Sequence, residues 1–241
     1  MTSMEINAQF RDAILSPTDF ETVLSRLGRI IDAIAERCSE LGKSEWHLKG
    51  ETPQEAMLYH AFDGDAPSAA ALAVLREEFR KSQDQTYVAI WAHRENSESG
   101  GSMTCHVGPQ GELNSIAVPL TGTHNVIDFD AFTSYVSRVA EEFHPIYAEV
   151  SPAEYFEKRV FDDKPGVGWM LYLPKVITAQ QVPEARALIP VPEAGRKQTG
   201  TIIVSVTDSV FSADNPEHLE IANRVEIRLV DQDLLPAYSD I

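Results

Sequence analysis

The sequence predicts an α+β fold, mostly antiparallel sheet in one or more sheets, packed by helices. Three observations carry this. Two long stretches, after Asp19 and after Asp130, repeat apolar residues at three- and four-residue spacing, the signature of amphipathic helices. Between them lie three strand-like runs whose connections are too short for helical crossovers, so they must pair antiparallel. Two further runs, Gly166–Pro174 and Gly200–Val206, are apolar and Gly- or Pro-bounded, and read as strands buried on both faces.

Met4 to Phe10 is a candidate first strand. Ser16-Pro17-Thr18-Asp19 opens the first helix, with Ser as cap and Pro at the first helical position. Its stripe is Phe20, Val23, Leu24, Leu27, Ile30, Ile31, Ile34 and Cys38, and Gly42 ends it. Trp46 to Lys49 is a short strand, and Thr52-Pro53 starts a helix running to Tyr59. Asp63 to Pro67 is loop. The next helix turns Leu72, Leu75 and Phe79 inward and Arg76, Glu77, Arg80 and Lys81 outward. The meander follows: strands at Thr86–His93, Ser102–Val107 and Leu113–Pro119, joined by a polar turn from Glu95 to Gly101 and a Gly- and Pro-containing turn from Gly108 to Gly111.

Val126 to Phe129 reads as another strand. Asp130 to Phe143 is a helix with Phe132, Tyr135, Val136, Val139, Ala140 and Phe143 on one face, and Pro145 to Val150 is a strand. Ser151-Pro152-Ala153-Glu154 has capping-box spacing and starts a helix carrying Tyr155, Phe156 and Val160. After the Gly166–Pro174 strand, Pro183 to Pro192 is a Pro-rich connection. Asn215-Pro216-Glu217 opens the last helix. From Arg224 to Val230 two patterns compete, since Val225, Ile227 and Leu229 also alternate as in a strand; helical spacing of Leu219, Ala222, Val225, Leu229 and Val230 is preferred. The order helix, strand, helix, aromatic strand occurs twice. The chain therefore reads as a single domain over 1–241, with two pseudo-repeats, about 1–120 and 121–241, as the open alternative.

The 241 residues carry 20 Lys and Arg against 37 Asp and Glu, a net charge of −17. Such a balance disfavours direct contact with nucleic-acid phosphates, which needs cations to displace counterions, and favours a basic partner; solvated acidic faces are the alternative. The two cysteines, Cys38 and Cys105, read as buried free thiols of a reducing compartment. The start of the chain has no basic segment followed by an apolar one, and no apolar run approaches a membrane span. A cytoplasmic protein with no membrane partner is expected.

Motifs for chemistry are missing. There is no Gly-x-Ser-x-Gly elbow, no phosphate-binding loop and no His-Glu-x-x-His. Cys105 and His106 are neighbours on a strand and point to opposite faces. His47, His60, His93, His106, His124, His144 and His218 show no metal-ligand spacing, so neither metal nor cofactor is expected. Gly166-x-Gly168 could form an anion nest, but a strand follows it rather than a helix, so a tight turn or close packing is preferred. The paired carboxylates Glu141-Glu142, Asp162-Asp163 and Asp231-x-Asp233 read as solvated. Acidic residues gather in two groups. One holds Glu141, Glu142, Glu149, Glu154, Glu157, Asp162 and Asp163; the other holds Asp208, Asp214, Glu217, Glu220, Glu226, Asp231, Asp233 and Asp240. Meeting on one surface, they would steer a basic partner.

The runs Gly168-Trp169-Met170-Leu171-Tyr172-Leu173-Pro174, Gly200-Thr201-Ile202-Ile203-Val204, Asn215-Pro216-x-His218 and Glu226-Ile227-Arg228-Leu229 leading to Leu234-Leu235-Pro236 resemble the immunity protein 52 family. The likeness is strongest from about Tyr147 onward; the first half agrees in length and element order. The resemblance implies a bacterial polymorphic-toxin or type VI secretion immunity protein, without catalytic residues. Its partner would be a cognate nuclease-type toxin with a restriction-endonuclease-like domain, bound in the cytoplasm by a monomer or homodimer. Asp162, Asp163, Asp208, Asp214, Glu217, Glu220, Asp231 and Asp233 are the candidate toxin-binding residues. Two other classes stay open: an enzyme built on Asp214, Glu217 and His218, and a dimeric scaffold.

Overall fold

A computed structural model describes residues 2–50, 52–93, 98–192, 195 and 197–241, and for 53 and 93 the backbone alone. Among them the chain divides into two compact units. The first comprises Met1–Ser3 and Gln9–Ile127, the second Met4–Ala8 and Asp128–Ile241. The α+β expectation is met, with every described strand pairing antiparallel.

Strand β1 (Thr2–Arg11) is longer than expected and alternates buried Met4, Ile6, Ala8 and Phe10 with half-open residues. Helix α1 (Phe20–Arg37) buries its predicted stripe, apart from Cys38, which is its half-buried C-cap. Its start differs from expectation. Asp19, not Ser16, is the cap, its side chain accepting the Thr22 N–H at 3.1 Å. Ser16 and Pro17 precede it as a turn closed by the Asp19 N–H to Ser16 carbonyl bond. The helix also stops before Gly42, because Ser39–Leu41 tightens into a 3-10 turn.

Strand β2 (Trp46–Leu48) is followed by α2 (Pro53–Ala56), one turn instead of a helix to Tyr59. The expected loop at 63–67 is a minimal hairpin, β3 (Phe62–Asp63) and β4 (Ala66–Pro67), turned at Gly64 with φ +61°. Helix α3 (Ala69–Glu78) is capped by Ser68 and buries Ala71 and Leu75. Strands β5 (Thr86–His93), β6 (Gly100–Val107) and β7 (Leu113–Gly122) form the predicted meander, and β2 extends it beside β5. Of the expected turn at 95–101, residues 94–97 lie outside the described part, and Gly100 and Gly101 already belong to β6.

In the second unit, the expected strand at 126–129 is a helix entrance instead. Asp128 caps α4 (Phe129–Phe143) through the Ala131 N–H at 2.7 Å. That capping carboxylate overrides the local β-branched character of Val126 and Ile127. The helix buries all six predicted residues, and His144 ends it in the left-handed region. Strand β8 (Tyr147–Ser151) pairs with β9 (Met170–Leu173), which pairs with β11 (Gly200–Val204); β10 (Ala187–Val191) forms the edge beyond β11. The two strands singled out from sequence are therefore direct partners, Leu171 opposite Ile203, and both are buried along their whole length. Strand β10 lies where the prolines Pro183, Pro190 and Pro192 predict a connection, because Pro is tolerated on an edge strand.

The Ser151–Glu154 start yields only a 3-10 turn, Ala153–Glu157, without a side-chain cap. The ambiguity at 224–230 resolves as helix: α5 (Pro216–Asp231) is capped by Asn215 and carries Val225 and Leu229. These two pack with Tyr147, Val167, Leu171, Leu173, Ile203 and Leu235 in one apolar core, while α4 lies against β8 and β11. Trp169 is fully buried 5.4 Å from Phe132, its indole N–H donating to the Val206 carbonyl at 2.9 Å.

Candidate interaction surface

The most unusual chemistry lies in the segment joining β8 to β9, residues 152–169, and its cause is a buried carboxylate. Glu226 is 1% exposed on α5. It accepts the Val160 N–H at 2.8 Å, the Val167 N–H at 3.0 Å and the Tyr155 hydroxyl. Beside it, Glu149 of β8 accepts the Gly166 N–H at 3.0 Å. An irregular segment cannot satisfy its own amides, and unpaired buried N–H groups are costly. Here two side-chain carboxylates take the place of a ladder.

The glycines fit this role. A Cβ on Gly166 would lie 2.8 Å from the Tyr155 ring, and one on Gly168, whose φ is +51°, would lie 2.6 Å from the Val150 carbonyl. The expected turn and close packing are present. The Gly166 and Val167 amides go to two different carboxylates, Glu149 and Glu226, rather than converging on one anion. Sequence groups Glu149 and Glu226 with the surface acids; that is corrected for Glu226, which is buried, while Glu149 is half-buried and borders a groove. The signal was available for Glu226, since Ala222, Glu226 and Leu229 fall on one helical stripe.

Burial pushes both carboxyls above the usual range. For Glu226 the three donors oppose the shift. For Glu149, burial outweighs the Gly166 N–H and the Arg159 charge, while Glu226 and Glu5 add repulsion, and its pKa rises from 4.5 to about 7. Between those values the folded chain holds a proton that the unfolded chain has released. This group's contribution to stability is thus full below pH 4.5 and is lost as pH rises through 7. Glu149→Gln is expected to remove that loss. Urea denaturation at pH 5 and pH 8 should show the variant gaining on the wild type by on the order of 2 kcal/mol at the higher pH.

Outward from this base the segment presents apolar groups. Phe156 is 63% and Val160 39% exposed. The Arg159 guanidinium sits 4.1 Å over the Phe156 ring, and donates to the Tyr238 hydroxyl at 3.0 Å and the Asp162 carbonyl at 3.2 Å. Tyr155, beneath, packs edge-on against Phe211 at 5.4 Å. Next to Phe156 lies a groove of about 170 Å³, with Glu5, Asn7, Glu149 and Ser151 among its lining residues.

All eight acidic residues expected at the interface are exposed. They are spread along α5, the residues flanking it and the 152–169 segment. Asp208, Asp214, Glu217 and Glu220 gather at the start of α5, Asp231 and Asp233 at its end, roughly 21 Å along the axis from Glu217 to Asp231 at 1.5 Å per residue. Three of them belong to or touch the 152–169 segment. Asp162 and Asp163 lie within it, the latter's carbonyl accepting the Tyr238 N–H at 2.8 Å, and Asp214 pairs with Lys158 at 3.1 Å. Asp233 also has a backbone role: at φ +51° it closes α5, with Leu234 N–H returning to the Leu229 carbonyl at 2.9 Å. Asp208 and Glu217 line an open polar groove of about 450 Å³ together with Arg186, Ser209 and His218.

Of the enzyme-like trio, His218 and Asp214 already have partners. The His218 ring takes the Ser212 N–H at 3.1 Å on Nδ1 and faces Ser209 Oγ at 3.4 Å on Nε2, while Asp214 is held by Lys158. Both imidazole nitrogens are engaged in shaping the 209–212 loop. Cys105 is fully buried, its thiol pushed up to about 12 by that burial, and His106 points the other way, exposed. No group of three or more His, Cys, Asp or Glu among the described residues could hold a metal ion. Among them, too, no helix is long and apolar enough to cross a membrane.

The fold of this α+β chain has a solved counterpart. It is similar to the Pseudomonas aeruginosa T6SS protein PA0821, at 11% identity and a TM-score of 0.54, over 93% of this chain and 75% of that one. At that identity the likeness is one of fold. No curated protein sequence matches the chain. Residues 19–238 match the immunity protein 52 family. The chain belongs to that family, and the match reaches back to α1, so the first half carries the family pattern as well as the second.

Proposed function

We propose that this protein neutralises a cognate nuclease-type toxin by stoichiometric binding in the bacterial cytoplasm, the toxin being a type VI secretion effector with a restriction-endonuclease-like domain. Membership of an immunity-protein family is the observation that carries the reading. The net charge of −17 supports a basic target, as a nuclease must be where it holds phosphates. The fold shared with a T6SS protein supports the secretion context. The acidic residues Asp162, Asp163, Asp208, Asp214, Glu217, Glu220, Asp231 and Asp233 speed and orient the encounter. Exposed ion pairs contribute little to affinity. A dissociation constant of about 1 nM requires roughly 12 kcal/mol, so apolar contact must supply most of it. The family match runs through both compact units, which supports treating the chain as one immunity unit, acting as a monomer or homodimer without a cofactor.

The deciding experiment is co-expression with the toxin encoded beside this gene. Cells are expected to survive when both proteins are made in equal amounts, and to die when the toxin is made alone. Death at equal expression would refute the reading.

A further inference from the structure

The groove beside Phe156 has a composition that the acidic surface residues do not share. Its floor comes from one face of two neighbouring strands. Glu5 and Asn7 alternate outward on β1, and Glu149 and Ser151 do so on β8. Its wall is the segment held by Glu226, with Ala153, Phe156 and Arg159. At about 170 Å³ it is smaller than the roughly 300–1,000 Å³ of small-molecule sites. One long side chain fits it.

The charges choose which. Two carboxylates, Glu5 and Glu149, border the groove, with Glu226 behind them. The one cation on the wall, Arg159, is already committed to the Tyr238 hydroxyl, the Asp162 carbonyl and the Phe156 ring. The neighbouring surface is apolar, since Phe156 and Val160 stand exposed. The segment carrying them is held in advance: the Val160 N–H is bonded to Glu226, and the Lys158 ammonium is tied to the Ala213 carbonyl at 2.9 Å and to Asp214. An exposed aromatic on a pre-ordered segment, rimmed by polar groups, is the anatomy of a binding hot spot.

We infer that Phe156 and Val160 form the apolar anchor of the toxin interface, and that the adjoining groove accepts a lysine or arginine side chain of the toxin between Glu5 and Glu149. This rests on the immunity reading above. The stem of such a side chain lies along the Phe156 ring and its charged head lies at the carboxylates. A cation there favours the ionised form of Glu149. The groups bearing on that carboxyl are Glu5 on β1, Glu226 on α5, Arg159 on the joining segment, and Tyr147 and Tyr238. Binding near neutral pH therefore expels a proton from Glu149.

The test is calorimetric titration of this protein with the toxin encoded beside it, at pH 7 in two buffers of different ionisation enthalpy. Phe156→Ala is expected to weaken binding at least 30-fold with an unchanged melting temperature, because the side chain is largely exposed. Wild type is expected to release a fraction of a proton per complex, and Glu149→Gln none, with Glu5→Gln weakening binding several-fold in low salt. If wild type binds the toxin but Phe156→Ala stays within threefold, the anchor is elsewhere and the inference falls while the immunity reading stands. Equal proton release from wild type and Glu149→Gln would overturn the cation site. A wild type that does not bind the toxin overturns the immunity reading and this inference with it.

Discussion

Replacing Glu226 with Ala is expected to destabilise the protein by about 3–5 kcal/mol. Three donors converge on this one carboxylate: the Val160 and Val167 amides and the Tyr155 hydroxyl. Glu226 is 1% and Tyr155 2% exposed, while the Val160 amide is partly buried. Truncation leaves the buried Val167 amide and Tyr155 hydroxyl unpaired, and each buried unpaired donor costs about 1–3 kcal/mol. Glu226→Gln can keep its carbonyl oxygen for the Val167 N–H and the Tyr155 hydroxyl, which share one carboxylate oxygen, and then sets its amide nitrogen against the Val160 N–H, so a smaller loss is expected. Urea denaturation measures both. A Glu226→Ala variant as stable as wild type would show that the carboxylate does not hold the segment. The same variant is expected to lose toxin protection, because the 152–169 segment depends on that carboxylate for its shape.

Trp169→Ala is expected to cost about 3–5 kcal/mol, the usual range for removing a large buried aromatic. The side chain is 0% exposed, meets Phe132 at 5.4 Å and spends its one donor on the Val206 carbonyl. Trp169→Phe keeps most of the apolar volume and loses that hydrogen bond, so it should fall between Ala and wild type. Thermal melting of the pair separates the two contributions. Loss of toxin protection by Trp169→Ala at full stability would contradict a purely packing role.

Much of the architecture was legible because period and capping are local signals. The stripes of α1 and α4 needed only side-chain spacing, and β9 and β11 only their unbroken apolar character. The failures share one cause, which is competition between local signals. Ser16-Pro17 and Ser151-Pro152 both look like helix starts, but Asp19 captures the first helix, and the second segment yields to Glu226, whose donors it must supply. Asp128 likewise converts a strand-like run into a helix entrance. Strand β10 was hidden because its prolines exclude a central strand but not an edge.

The candidate surface was legible in composition only. Carboxylates were counted, but their direction was not. Among acids that are equivalent in composition, Glu226 turns inward to hold a loop, Glu149 holds the Gly166 amide from the rim of the groove, Asp233 closes α5, and Asp208 and Asp162 remain on the outside. By itself the sequence determined the α+β class, the two central strands and the family, because these rest on patterns within short windows. Only the tertiary structure decided which carboxylates are buried and hydrogen-bonded and which lie exposed. That depends on where α5, β8 and the joining segment meet, and burial turns a solvated charge into a hydrogen-bonding hub.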